Sequence, residues 1–481
     1  MYLKKFCGGD RFYRLSLIGL PLFLLNGCAT FSSDNGFNAV QTMATPYISQ
    51  DLVWARSDAD KKIINQRVTD LLEKPLDVDT SVQIALLNNR GLQAAYYELG
   101  ISEADLVQAG RLTNPHLSLV QASATENGTR EYTIEQALTF NIFSLVTMPR
   151  VVAIEKRRFE QAQRATALEV LRVAAETRKA YYRAVAAAQT QRYMQQVQQA
   201  ADASAELARR MAQVGNFNKL EQAREHGFYA DAVLNVARAT QAALASREQL
   251  TRYLGLWGMQ INYQLPERLP DFPITADDLP NIEQTAMAQR LDLQMLKIET
   301  AALAKNLGLN KTTRFINVLE AGPVRILEGQ KDGPYKKGYE VSFELPLFDW
   351  GGAKVAKAEA VYMRQINLAA EAAINARSEV REAYFSYRSN FDIARHYRDD
   401  MVPTAKQISE ENVLRYNGML IGVFELLADA RSQIMVVNEY IQAQRDFWLS
   451  QTDLQMSMIG KPNMSGFSAS EMKSSVTTGS H

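Results

Sequence analysis

The chain has 481 residues, 47% of them hydrophobic, with 53 basic and 53 acidic side chains. It exceeds one ordinary domain, has apolar content ample for a core, and its balanced charge points to neither nucleic acid nor an acidic partner. The two cysteines, Cys7 and Cys28, both lie near the start, and the histidines at 116, 226, 396 and 481 have no metal-ligand spacing. No P-loop, G-x-G-x-x-G or G-x-S-x-G occurs, so neither an enzyme nor a metal centre is expected.

Residues 1–27 read as a signal peptide. Lys4, Lys5, Arg11 and Arg14 form a basic region, and "LSLIGLPLFLL" (15–25) is an apolar run too short for a permanent span. It closes on "LNGC" (25–28), which resembles a bacterial lipobox; Leu25 and Gly27 fit, and Asn26 departs from the pattern. The alternative is an ordinary signal peptide that contains a cysteine. Cleavage before Cys28 would leave that residue as an acylated N-terminus, with no second thiol for a disulfide. Acyl chains contribute about 0.8 kcal/mol per buried methylene, and a covalent lipid on Cys28 is the sole added group expected. Ala29 follows, rather than the aspartate that signals inner-membrane retention, which favours the outer membrane. Residues 28–76 are then a lipidated N-terminal segment. No later stretch has eighteen uninterrupted apolar residues, so a helical span is excluded.

From residue 77 the chain repeats itself. "ALLNNRGLQ" (85–93) matches "AMAQRLDLQ" (286–294) at an offset of 201, and "YTIEQALTF" (132–140) matches "YEVSFELPL" (339–347) at 207. "GNFNKLEQAR" (215–224) matches "GVFELLADAR" (422–431), again at 207. The first repeat, 77–260, is expected to hold a helical stretch (82–112), strands at 115–123 and 131–142, a long helix (150–213) and a shorter one (218–255). A proline-rich linker, 261–281, precedes the second repeat, 282–460. There the same plan recurs as a helix (282–309), strands at 314–325 and 338–348, a long helix (352–416) and a shorter one (423–459). The tail 461–481 is rich in Ser, Thr and Gly and is expected to be disordered.

The stretch from Val151 to Val214 has no Gly or Pro and much alanine, which predicts a continuous helix. Leu168, Leu171, Tyr182, Val185, Val197, Leu207, Met211 and Val214 fall on steps compatible with a three-four seam. At ~1.5 Å per residue, some sixty-four residues span roughly 96 Å. A solvated coiled-coil rod would show the same helices. The strands separate the two readings. Tyr132, Ile134, Leu138, Phe140 and Ile142 alternate with Thr133, Glu135, Thr139 and Asn141; Tyr339, Val341, Phe343, Leu345 and Leu347 alternate with Glu340, Ser342, Glu344 and Pro346. An apolar face with glutamates opposite suits a membrane barrel as well as a half-buried soluble strand. Asn127-Gly128 and Asp332-Gly333 supply turn chemistry between the paired strands. Four strands cannot close a barrel in lipid, so copies must combine.

The lipobox, the duplication, "LPLFDWGG" (345–352), "VPTAKQISEENVLRYNG" (402–418) and "GVFELLADAR" (422–431) together resemble a TolC-family outer-membrane efflux lipoprotein over roughly residues 77–460. Pro403 matches a proline that this family tolerates within a helix. The resemblance implies a mainly α chain with membrane β structure, four strands per chain. Three chains would form a twelve-stranded trimeric β-barrel continuous with a long α-helical barrel. It implies a homotrimer in outer-membrane lipid, a periplasmic helical tunnel, and docking to a periplasmic adaptor and an inner-membrane pump, with no nucleic acid. Export of small toxic compounds or metal ions is the expected function. A type I protein-secretion duct and a non-transporting, lipid-anchored coiled-coil scaffold are the alternatives.

The resemblance also implies a periplasmic gate ringed by acids after the second repeat's helix break. Glu425 matches the first acidic position; the second falls at Ala428, with Asp429 one residue later. Glu425 and Asp429 are spaced i, i+4 on one helical face. Tyr416 matches a family tyrosine, and Arg415 is the local candidate partner for the carboxylates. Under this alignment Asn218 and Gln222 are the first-repeat equivalents, which confines the charge to one repeat. A solvated acidic helix end, favoured by the macrodipole, is the alternative reading of the acids.

Overall fold

The computed structural model describes residues 30–126, 128–316 and 318–461. The expected signal peptide, the expected acylation site Cys28, Asn127 of the first turn and the tail beyond Lys461 lie outside the described residues. The elements are α1 (Phe37–Ala44), α2 (Asp58–Leu72), α3 (Val78–Asn88), α4 (Arg90–Ala109), β1 (His116–Glu126), β2 (Thr129–Asn141), α5 (Ile142–Gln213) and α6 (Lys219–Leu254). Then come α7 (Ile282–Gln289), α8 (Leu291–Thr313), β3 (Leu319–Gly329), β4 (Lys336–Phe343), α9 (Gly352–His396), α10 (Val402–Asn417) and α11 (Val423–Ile459). The contacts divide the chain into two units: Met1–Asn38, Tyr97–Gln163 and Met295–Ala370 in the first, Ala39–Tyr96, Arg164–Gln294 and Glu371–His481 in the second.

The first unit holds the sheet, four antiparallel strands in the order β1-β2-β3-β4. Its register decides what each face carries. Leu117 pairs with Leu138, Ile134 with Leu327, Phe140 with Ala321, and Ala321 with Val341, so both hairpins present their apolar residues on one side. Glu135, Glu320, Glu328 and Glu340 stand on the other. Leu119, Tyr339 and Val341 on the apolar side are 67%, 89% and 62% exposed, an unusual state for residues of this kind. The central β2–β3 approach depends on Gly322, where a Cβ would stand 1.8 Å from the Leu138 carbonyl oxygen.

The strand of the second hairpin stops earlier than its alternation implies. β4 ends at Phe343, and Leu345 and Leu347 are not part of it. Pro346 has no N–H to donate to a ladder, and the Leu347 N–H bonds the Leu345 carbonyl across it. Gly351 then adopts φ 72°, with Arg314 so close that a Cβ would lie 2.5 Å from its carbonyl oxygen. Both facts require glycine at 351, immediately before α9. β3 likewise runs 319–329 rather than 314–325. Among the described residues no helix is long and apolar enough to cross a membrane.

The helices also depart from their expected bounds. The helix expected at 150–213 begins at Ile142, with Pro149 inside it. The expected 352–416 helix is interrupted by a π turn, Tyr397–Met401. The Val402 N–H donates to the Tyr397 carbonyl there, which takes the backbone around the ring of Pro403, two residues into the next helix. The helical stretches before the strands are each broken once, at Asn89 (φ −65°, ψ 116°) and at Arg290 (φ −56°, ψ 120°), positions 201 apart.

In the second unit an aromatic core joins Phe272, Tyr387, Phe391 and Phe447. Phe272 comes from the proline-rich connection, which also receives the Trp448 indole N–H at the Pro270 carbonyl, so this connection is packed in place. Arg290 is fully buried, bonded to Asp292 and Glu379 at 2.6 and 2.8 Å and to the Ser457 carbonyl at 3.2 Å. Lys179 is held between Glu176 and Asp453.

An extended segment, 48–56, lies across α3 and α4. The Gln83 amide bonds both the N–H and the C=O of Asp51 at 3.0 Å. The Gln93 amide takes the Ala55 N–H at 3.0 Å and gives to the Val53 carbonyl at 2.9 Å. Two glutamine side chains thereby do for this segment what a neighbouring strand does in a sheet. Leu52 and Trp54 of the segment are themselves buried, and residues 81–88 of α3 are buried throughout.

Candidate functional site

The expected gate lies at the turn between α10 and α11, in the second unit. The corresponding turn of the first repeat joins α5 to α6. Their backbones are nearly the same. In the first, the Gly215 N–H bonds the Ala212 carbonyl and the Asn216 N–H bonds the Met211 carbonyl; in the second, Met419 bonds Tyr416 and Leu420 bonds Arg415. This is the paired closure of a helix C-terminus through a left-handed residue, and Gly215 (φ 76°) and Met419 (φ 57°) supply it. The following helices start from extended N-caps, Asn218 (φ −83°, ψ 167°) and Gly422 (φ −81°, ψ 161°).

Each of these pairs is 204 residues apart, so the sequence match at 207 misplaces the turn. Gly215 corresponds to Met419, not to Gly422. By the same register Glu221 corresponds to Glu425 and Glu225 to Asp429. The acids are therefore not confined to one repeat. The motif match had aligned glycine to glycine, but the left-handed position is filled by glycine in one turn and methionine in the other.

The two repeats use their acids differently. Glu221 is tied up in a capping box: its carboxylate accepts from the Asn218 N–H at 2.8 Å, and the Asn218 side chain accepts from the Glu221 N–H at 2.9 Å. Glu225 is 1% exposed, accepts from Arg431 at 2.7 Å and from the Ser204 hydroxyl at 2.7 Å. Arg431 also lies over the Phe228 ring at 4.4 Å. Glu206, one helix back, is bonded by Arg209 and Arg210, which hold its carboxyl down at about 2. Every acid near the first turn thus has a cap or a cation.

Glu425 has neither. It occupies the third helical position, exposed, beneath a Gly422 cap that has no side chain to complete the box. Asp429 is half-buried, and its Oδ2 is enclosed without a hydrogen-bond partner among the described residues. Arg415 and Tyr416 are exposed at the end of α10, and no ion pair joins Arg415 to Glu425 or Asp429. The structure brings all four expected residues to one turn, but it does not supply Arg415 as the counter-ion. Arg431, inside the quoted "GVFELLADAR" motif, is the cation that matters here, and its partner lies 206 residues away in sequence. No local spacing could have shown that.

Chemically the turn offers two carboxylates without counter-ions, able to attract cations. Among the described residues no three His, Cys, Asp or Glu side chains are grouped to hold a metal ion.

With sheet, helices and turn described, the architecture is that of the TolC-like outer-membrane channels, chiefly helical with a small antiparallel sheet. The solved channel CusC matches at 16% identity and TM-score 0.66, over 80% of this chain and 92% of that one. The Campylobacter jejuni CmeC outer-membrane channel matches at 17% and 0.64, over 89% and 92%. VceC, an outer-membrane protein of Vibrio cholerae, matches at 14% and 0.66, over 80% and 97%. No family model and no curated protein matches the chain.

Proposed function

We propose that this protein is the outer-membrane channel of a tripartite efflux system, passing small toxic compounds or metal ions from an inner-membrane pump and periplasmic adaptor to the exterior. The observation that carries this reading is the sheet. It has one largely exposed apolar face, glutamates on the other, and, among the described residues, no strand beyond β1 or β4 to cover its edges. Such a sheet is unstable in lipid alone and stable once copies close it. Three copies of four strands make twelve, within the range of membrane barrels. A lipid-anchored scaffold would have no use for that face. The likeness to solved channels supports the same conclusion.

The protein is then a homotrimer, anchored by acyl chains on Cys28, with Glu425 and Asp429 of each chain lining the periplasmic opening. Light scattering in detergent, corrected for the micelle, should give three chains; one or two would contradict the architecture. Cys28→Ser should abolish incorporation of labelled palmitate, and continued labelling would remove the anchor. In planar bilayers, replacing both Glu425 and Asp429 with Ala should lower cation selectivity and weaken divalent block. Glu221→Ala should change neither, because that carboxylate is already engaged by its cap. Wild-type selectivity in the double variant would leave these acids as a solvated helix end.

A further inference from the structure

The segment 48–56 has a counterpart groove in the second repeat that is open. Glutamines recur there at the same positions: Gln83 and Gln93 on α3 and α4 correspond to Gln284 and Gln294 on α7 and α8, each pair 201 apart. The backbone agrees. The Asn89 N–H bonds the Ala85 carbonyl and the Arg290 N–H bonds the Ala286 carbonyl, both at 2.9 Å, across the same helix break. Yet the surroundings differ. Residues 83–88 are buried under the extended segment, whereas Gln284, Ala288 and Gln289 are exposed. The Gln284 side chain has no hydrogen bond among the described residues. Gln294 gives one N–H to the Gln289 carbonyl at 3.2 Å and accepts from Arg164 at 3.3 Å, which leaves its second amide hydrogen unused.

We propose that this face of α7 and α8 is a second cradle for an extended chain, and that its occupant is the protein's own C-terminal segment, within residues 462–481. Three observations select that occupant. The last helix ends beside the groove, since the Ser457 carbonyl accepts from Arg290 at the α7–α8 break. Twenty residues in extended form reach roughly 66 Å, several times the roughly 12 Å length of an eight-residue helix such as α7. The cradle reads main chain through glutamine amides, and eleven of those twenty residues are Ser, Thr, Gly or Ala, small enough for close approach. Ala288 is exposed and stands where α3 has the larger, buried Leu87. The contact does not depend on the channel reading.

The test is hydrogen exchange of peptides from 462–481 in the full-length protein, compared with Gln284→Ala/Gln294→Ala. In the wild type a short stretch should exchange at least about tenfold more slowly than a free peptide. The double variant should lose that protection, and Gln83→Ala should keep it. A second measurement guards against misfolding. Ala288→Cys should react with a maleimide about fivefold or more faster in a chain ended at Lys461 than in the full chain, in line with opening of a locally covered site. Free-peptide exchange throughout 462–481, protection untouched by the double variant, or equal alkylation rates would each overturn the proposal. So would a crosslink from Ala288→Cys to a tail cysteine (Ser468→Cys) that joins two chains rather than closing within one.

Discussion

The two turns at 213–219 and 417–423 share a backbone and differ in almost everything else. The first has glycine where the chain needs a left-handed residue, asparagine where the next helix needs a cap, and glutamates that each have a cap or a cation. The second has methionine in the left-handed position, glycine at the cap, and two acids without counter-ions. A duplicated unit can thus keep its geometry while one copy is built to hold and the other to yield. The two are also joined, since Glu225 of α6 pairs with Arg431 of α11. A local opening is expected to begin at the turn with fewer satisfied groups.

Removing that grip should have the largest effect. Arg431→Ala leaves Glu225 buried without its cation and should cost about 3 kcal/mol, at the low end for a buried pair because the arginine is partly solvated. Denaturant unfolding followed by circular dichroism measures it. A loss under about 1 kcal/mol would mean the two helices are held by apolar packing alone. Asp429→Asn should be neutral or mildly stabilising in the same assay, since no ion pair is lost; a large loss would reveal a partner for Asp429.

Smaller changes sharpen the contrast turn by turn. Asn218→Ala breaks the capping box and should destabilise by about 1 kcal/mol, with faster amide exchange at Glu221. Unchanged exchange there would show the box to be idle. Met419→Gly should stabilise by roughly 0.5–1 kcal/mol, because glycine adopts the left-handed region without a Cβ clash. If it destabilises instead, the methionine side chain contributes packing that its exposure conceals. The smallest effect is expected from Gly422→Asn, a gain of about 0.3 kcal/mol from a new cap, read as slower exchange in the first turn of α11. Slower exchange without any change in conductance would separate the turn's stability from its function.

Much of the fold is legible in the sequence alone. Helix content, the alternation of β2 and β4, and the succession of elements repeated twice all follow from short-range patterns, because propensity and periodicity act between residues a few positions apart. The bounds of α11 agree with the sequence to the residue. Interruptions were harder. Pro149 sits inside α5 without ending it, whereas Pro346 ends a strand and Pro403 is met by a π turn. One residue type has three outcomes, set by which neighbouring carbonyls and N–H groups need partners.

By itself the sequence determined that this chain would be long helices joined by amphipathic strands, in two related halves, since hydrophobic period and helix propensity are local properties. Only the tertiary structure decided that the two hairpins turn their apolar faces to the same side, because strand register is a pairing between Ala137 and Val324, far apart in the chain. It alone set the turns in register at 204 residues, where a left-handed backbone matters more than glycine identity. It alone joined Glu225 to Arg431, since a buried carboxylate takes whichever cation folding brings within reach.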